Sequence, residues 1–96
     1  MKSVKQIEEK LKKLKPLLSK KYNVKRIGYF GSYSRNEQEE GSDIDLLVEF
    51  SEPLGWEFFD LKKFLEDELQ LRVDLVSVNA LRKELEKPIL EQTRYV

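Results

Sequence analysis

The chain has 96 residues, 40% hydrophobic and 38% charged, so we expect one domain over residues 1–96 with a modest core. It contains no cysteine and no histidine, which excludes disulfides, thiol nucleophiles, Ser-His-Asp triads and the usual zinc sites. Acid–base or metal chemistry must therefore use aspartate or glutamate. No apolar run approaches the roughly 20 residues of a membrane span, so we expect a cytoplasmic protein that does not contact a membrane.

The formal charge sums to zero but is unevenly distributed along the chain. Residues 1–26 carry a net charge of +8, and residues 37–68 carry −10. One interpretation is a surface rich in lysine and glutamate, of the type found in heat-loving organisms. The other is a basic helix that faces an anionic partner or the acidic part of the protein itself.

The first predicted element is a helix, because apolar residues recur at helical spacing from Val4 to Leu18. Ser3 and Gln6 have the spacing of a capping box at its start. Pro16 should kink this helix or begin a second one, and Asn23 is a plausible end.

The later elements alternate between strands and helices. In chain order we expect a strand over 24–30, a helical turn over 32–36, a polar loop, a strand over 43–50, a helix over 56–69, a strand over 71–76, and a helix over 80–87 that Asn79 caps and Pro88 breaks, followed by a tail over 89–96. This order predicts an α+β fold of two layers, in which a small mixed β-sheet carries helices mainly on one face.

Two aspartates, Asp43 and Asp45, mark the start of the second strand. Residues i and i+2 of a strand face the same side, about 7 Å apart along the chain. Two ionised carboxylates that converge to ~4 Å repel by on the order of 4 kcal/mol, so either one is protonated or a cation lies between them. Mg²⁺ or Mn²⁺ is the natural cation for such ligands, and Asp74 on a neighbouring strand could add a third carboxylate. Three carboxylates can hold two metal ions for phosphoryl or nucleotidyl transfer, although the Asp-x-Asp pattern alone also fits a solvated strand start.

The Gly31-Ser32 pair lies where the first strand gives way to the helical turn. Glycine lets the backbone approach a ligand closely, and the first N–H groups of a helical turn favour an anion such as phosphate. The Ser32 hydroxyl adds a donor, and Arg35 could reach the same anion one turn later. The pair alone also fits an ordinary helix cap. Together with the aspartates, however, these residues fit a nucleoside triphosphate with Mg²⁺.

The segment GSYSRNEQEEGSDIDLLVEF, from Gly31 to Phe50, resembles the signature of the minimal nucleotidyltransferases within the polymerase-beta-like nucleotidyltransferase superfamily. The matching positions are Gly31, Ser32, Arg35, Glu37, Ser42, Asp43 and Asp45, with Asp74 as the third acid. Ser34 and Asn36 depart from a common version of the turn in which alanine and glycine flank the arginine. The resemblance implies the polymerase-beta-like nucleotidyltransferase fold. It also implies catalytic and metal-binding roles for Asp43, Asp45 and Asp74, and nucleotide or phosphate binding by Gly31, Ser32, Arg35 and Ser42.

The same resemblance implies a biological setting. Such proteins are commonly encoded beside a helical HEPN-domain toxin, usually an RNase, and act as its antitoxin. We therefore expect Mg²⁺-dependent transfer of AMP from ATP, with two Mg²⁺ ions, to a hydroxyl of the toxin, with tyrosine as the expected acceptor. Direct binding of nucleic acid is not expected, and a homo-oligomer remains open.

Two alternatives to this function stay open. The first is a non-catalytic antitoxin that neutralises the toxin by contact, although the intact Ser32 and the three aspartates argue against a complete loss of catalysis. The second is a transferase for a small acceptor such as an aminoglycoside, although we expect no second domain to bind one.

Overall fold

The computed structural model describes residues 3–96, which form three helices and a four-stranded sheet. In chain order the elements are helix α1 (Val4–Tyr22), strand β1 (Val24–Phe30), a 3₁₀ turn (Gly31–Tyr33) named here the Gly31 turn, strand β2 (Ile44–Phe50), helix α2 (Glu57–Leu69), strand β3 (Val73–Ser77), a second 3₁₀ turn (Val78–Ala80), helix α3 (Lys83–Gln92) and strand β4 (Arg94–Tyr95). No helix within residues 3–96 combines the length and the apolar character needed to cross a membrane.

Helix α1 begins and ends at the residues that the sequence predicts. The N–H of Gln6 donates to Ser3 Oγ at 3.1 Å and the N–H of Ser3 donates to Gln6 Oε1 at 2.9 Å, which completes the capping box. Asn23 ends the helix in the left-handed conformation, with φ 56° and ψ 29°. Pro16 lies inside a single helix, so it does not begin a second one.

The sheet has the strand order β3-β2-β1-β4 and is mixed. Strand β2 pairs parallel with β3, whereas β1 pairs antiparallel with both β2 and β4. Helix α2 connects β2 to β3, because two parallel strands need a crossover rather than a hairpin. The predicted α+β fold with a small mixed sheet is therefore confirmed.

The main core lies between one face of the sheet and the helices α1 and α2. It is a cluster of buried apolar side chains, among them Ile7, Leu11, Leu18, Ile27, Tyr29, Ile44, Leu46, Val48, Leu61, Leu65, Leu69, Val73 and Leu75. The Tyr22 and Phe64 rings, with centroids 6.0 Å apart, join the two helices at its edge. Since side chains alternate along a strand, Asp45 and Asp74 project from the face of the sheet opposite this core.

The C-terminal part of the chain differs from the prediction. A last helix is present, but α3 begins at Lys83 and continues through Pro88 to Gln92, so the predicted bounds 80–87 and the predicted end at Pro88 are wrong. Asn79 lies within the second 3₁₀ turn and does not cap this helix. A proline removes one helical hydrogen bond, but α3 buries no residue, so the carbonyl left unpaired can bind water.

Strand β4 replaces most of the predicted tail. Tyr95 pairs with Gly28 and Arg94 with Tyr29, and the N–H of Val96 donates to the Ile27 carbonyl at 2.9 Å. A Cβ at position 28 would lie 2.6 Å from the Arg94 carbonyl oxygen, so this strand can approach β1 only because the residue is glycine.

Candidate active site

The site is built on two neighbouring aspartates, one on the inner strand β2 and one on the edge strand β3. Asp45 on β2 lies in register with Asp74 on β3 and with Phe30 on β1. Burial, and next the charge of Asp74 and a hydrogen bond with it, raise the pKa of Asp45 to about 6, and the charge of Asp43 adds to this rise. Arg35 opposes the shift and lowers the pKa. The two paired carboxylates therefore lie close enough to disfavour full ionisation of the metal-free site.

The Gly31 turn lies directly against Asp45. Gly31 has φ +71°, and a Cβ on it would lie 2.2 Å from Asp45 Oδ2, so both the backbone conformation and the close approach require glycine. The N–H and the Oγ of Ser34 donate to the Gly31 carbonyl at 3.1 and 2.8 Å, which fixes the turn. The Ser32 hydroxyl makes no hydrogen bond within the described residues 3–96, so it can serve a ligand there.

Gln92, at the end of α3, joins the turn to Arg35. Its Oε1 accepts the N–H of Gly31 and Nη1 of Arg35, each at 3.0 Å, and Glu37 accepts Nε of Arg35 at 2.5 Å. Arg35 is thereby held beside the turn, as the sequence predicts, by partners on both sides. Gln92 was not among the predicted site residues, because the helix that carries it was expected to end before residue 88.

Ser42 is the predicted site residue with the clearest local role. Its Oγ accepts the N–H of Glu39 at 2.9 Å, and its own N–H donates to the Glu39 carbonyl at 3.0 Å. Ser42 therefore closes the loop that leads to Asp43 and β2. This contact places it on the approach to the aspartates.

The three predicted metal ligands are not arranged alike. Asp45 and Asp74 are partners in the sheet, whereas Asp43 precedes β2. Across residues 3–96, no three acidic side chains are positioned together so that they could hold a metal ion as they stand. The site therefore consists of one close pair of carboxylates and a third acid in the adjoining segment.

Tyr33, the last residue of the Gly31 turn, is a further residue of the site that was not predicted. Its side chain is buried, and its hydroxyl has no hydrogen-bond partner among residues 3–96. Burial and then the charge of Asp43 raise the pKa of Tyr33. Its place after Gly31-Ser32 is the signal that could have indicated it.

The arrangement of paired aspartates beside a Gly-Ser turn on a small mixed sheet is that of a nucleotidyltransferase. The sequence profile of the nucleotidyltransferase domain matches residues 5–96. This chain belongs to that family, which confirms the resemblance found in the sequence.

Two similar proteins are named as protein adenylyltransferases. A protein of Methanocaldococcus jannaschii, provisionally named a protein adenylyltransferase, is 48% identical over 98 residues and covers 100% of both chains. The protein adenylyltransferase MntA of Thermococcus cleftensis is 41% identical over 97 residues, which cover 100% of this chain and 98% of that protein.

Solved structures give the same fold. A structure described provisionally as a minimal nucleotidyltransferase has a TM-score of 0.84 and 31% identity, over 97% of this chain and 95% of that one. A toxin-antitoxin structure with AMP-PNP has a TM-score of 0.73 and 29% identity, over 90% of this chain and 70% of that one. A structure of the tri-AMPylated Shewanella oneidensis HEPN toxin in complex with its MNT antitoxin has a TM-score of 0.69 and 27% identity, over 96% of this chain and 70% of that one.

Proposed function

We propose that this chain is an antitoxin that transfers AMP from ATP to a hydroxyl of a partner HEPN toxin. The observation that carries the proposal is the pair Asp45 and Asp74, in register on parallel strands, with Asp45 seated against the Gly31 turn. Such a site offers carboxylates for a divalent cation and a turn for phosphate on the same face. The names of the related adenylyltransferases and the AMPylated toxin of a structural relative support the choice of AMP and of a protein acceptor.

The donor set fits Mg²⁺, and we propose that Asp43, Asp45 and Asp74 hold two such ions. Carboxylate oxygens are the ligands that Mg²⁺ prefers, and it usually takes one or two carboxylates together with substrate phosphates. The raised pKa of Asp45 supports the fit, because it reflects burial first and then the interactions with Asp74 and Asp43, and a bound cation would offset these effects. When bound, the ions neutralise charge on the phosphates and on the leaving group.

The remaining proposed roles belong to the turn and its neighbours. Gly31 admits the triphosphate to close range, and the Ser32 hydroxyl donates to a phosphate oxygen. Arg35, held by Gln92, places a guanidinium beside the same phosphates. Ser42 contributes through the loop that precedes Asp43, which its contact with Glu39 closes.

In the proposed reaction the acceptor hydroxyl oxygen attacks the α-phosphorus of ATP. A new P–O bond forms, the bond from the α-phosphorus to the bridging oxygen breaks, and pyrophosphate leaves with the bonding electrons. The hydroxyl proton passes to Asp74, which is exposed on β3, the strand at the edge of the sheet. Asp74 is therefore more open to a protein acceptor than Asp45, which is partly buried and lies against the turn.

The acceptor is proposed to be a tyrosine hydroxyl. A phenol has an ordinary pKa near 10 and is more acidic than an aliphatic alcohol, so a neighbouring carboxylate removes its proton more readily. The AMPylated HEPN toxin among the structural relatives supports a toxin acceptor, and tyrosine itself rests on the family resemblance.

The test is mass spectrometry of a HEPN toxin, encoded beside this protein, after incubation with the protein, ATP and Mg²⁺. We expect the toxin to gain the mass of AMP, and Asp45→Asn to abolish this gain. Asp67→Asn, which neutralises an exposed acid on α2, on the face of the sheet opposite the paired aspartates, is the matched control and should retain it. Tight binding without any mass gain would contradict the enzyme and favour the antitoxin that acts by contact alone.

A further inference from the structure

The hydroxyl of Tyr33 is an unusual feature of the site. The residue is 2% exposed, and its hydroxyl has no hydrogen-bond partner within the described residues. A buried donor without an acceptor has lost its bond to water and gained nothing in return, so folded proteins seldom keep one. An unpaired hydroxyl at this position therefore needs an explanation in another state of the molecule.

Asp43 is the acceptor best placed to pair with the Tyr33 hydroxyl. Tyr33 ends the Gly31 turn three residues after Phe30, and Asp43 lies two residues before Asp45, the register partner of Phe30. Both residues therefore lie at the same end of the antiparallel pair β1–β2, and the charge of Asp43 acts on the phenol. A phenol is protonated at neutral pH and can donate, and a carboxylate is the strongest acceptor it could meet. Asp43 also stands apart from the Asp45–Asp74 pair, and no three acids of residues 3–96 are yet arranged to hold a metal ion.

We propose that Tyr33 is a positioning residue whose hydroxyl donates to the carboxylate of Asp43 and holds it in place for the divalent cation and nucleotide. The inference rests on the proposed function, since it assigns Asp43 to the cation. It makes the unpaired hydroxyl a feature of the metal-free protein alone. It also predicts that the third acid joins the other two when the ligand binds.

The chain offers a matched pair of variants. Tyr33→Phe removes the unpaired hydroxyl, and Tyr29→Phe removes the hydroxyl of an equally buried ring on β1 that donates to Glu8 Oε2 at 2.7 Å. In EDTA we expect Tyr33→Phe to leave the Tm unchanged or raise it, because nothing is lost there. Tyr29→Phe should lower the Tm, because Glu8 loses its donor.

The second measurement follows the rise of Tm with Mg²⁺ at a fixed ATP concentration. The Mg²⁺ concentration at the midpoint should increase about ten-fold in Tyr33→Phe, which corresponds to ~1.4 kcal/mol, and should stay unchanged in Tyr29→Phe. Asp43→Asn should suppress the response further, and Tyr33→Phe in that background should add no additional loss.

The inference is overturned if Tyr33→Phe lowers the Tm in EDTA and leaves the Mg²⁺ midpoint unchanged. That result would mean that the hydroxyl is paired within the fold, with Gln38 as the natural candidate, because Gln38 Oε1 is also buried without a partner in residues 3–96. If the Tm of the wild type responds to Mg²⁺–ATP and Tyr33→Phe shows the same Mg²⁺ midpoint, this inference alone is rejected. A wild type that does not respond at all rejects the proposed function together with it.

Discussion

Asp45→Asn should stabilise the metal-free protein, although it should abolish the proposed reaction. Burial and the neighbouring acids raise the pKa of Asp45 from 3.8 to about 6, so the fold disfavours its ionised form. At about 1.36 kcal/mol per unit, a shift of this size corresponds to roughly 3 kcal/mol. Because the side chain is partly exposed and solvent screens the charges, we expect about half of this amount, ~1–2 kcal/mol.

The stability gained by Asp45→Asn should increase as pH rises. Between the unfolded pKa of 3.8 and the folded pKa of about 6, the folded state binds more protons, so the wild type loses stability as pH rises. The penalty is absent below about pH 4 and complete above about pH 6. Asparagine cannot ionise, so the variant lacks this dependence, and the difference between the two proteins should open over that interval.

The assay is denaturant unfolding in EDTA at pH 4, 5.5 and 7.5, with Asp67→Asn as control. Asp67 is exposed and forms a 3.7 Å ion pair with Lys63 on the same helix, which contributes little, so its variant should follow the wild type at every pH. Mg²⁺ with ATP should remove much of the difference at pH 7.5 by stabilising the wild type. An Asp45→Asn variant that is no more stable than the wild type at pH 7.5, or a gain of equal size at pH 4, would refute the reasoning.

Four other variants test the turn and its supports. Gly31→Ala should destabilise the fold by ~1–2 kcal/mol through its positive φ and should abolish AMP transfer by displacing Asp45, as denaturation and a transfer assay would show. Ser32→Ala should have a free energy of unfolding within about 1 kcal/mol of the wild type and yet transfer AMP more slowly. An unchanged transfer rate would mean that the turn is a simple helix cap. Gln92→Ala should raise the KM for ATP more than it lowers kcat, because it releases two donors at the phosphate end, and an unchanged KM would contradict this. Gly28→Ala should cost ~1–3 kcal/mol in the same denaturation assay, because a Cβ there meets the β4 backbone at 2.6 Å; a variant as stable as the wild type would show that β4 is not held as described.

The central part of the fold could be predicted because local and tertiary signals agree there. The capping box at Ser3 and the left-handed Asn23 bound the first helix by local interactions alone. The alternation around Asp45 places it opposite the core, and the same period on the neighbouring strand does so for Asp74. The alternation fixes the face on which each aspartate lies, but it does not fix the register between the two strands. The pairing of Asp45 with Asp74 depends on tertiary contacts.

The C-terminal part could not be predicted because its structure depends on contacts that are distant in sequence. Pro88 is a strong local stop signal, but the helix continues because its last residues gain partners elsewhere. Gln92 bonds to Gly31 and Arg35, more than fifty residues earlier. The same contacts bring Gln92 into the site, so the wrong helix end and the missed site residue have one cause.

The core on the other face of β2 and β3 holds the two aspartates side by side despite their repulsion. Asp45 and Asp74 are flanked in the register by the buried pairs Ile44–Val73 and Leu46–Leu75. A slip of one residue would separate the acids, but it would also turn these apolar side chains away from the core. Burial of each such side chain contributes about 1.5–3 kcal/mol, so even one pair outweighs the ~1–2 kcal/mol by which burial and the neighbouring acids disfavour ionised Asp45. The apolar face of β2 and β3 therefore fixes a charged arrangement that the acids alone would not adopt, and a divalent cation bound there would find its ligands already opposed.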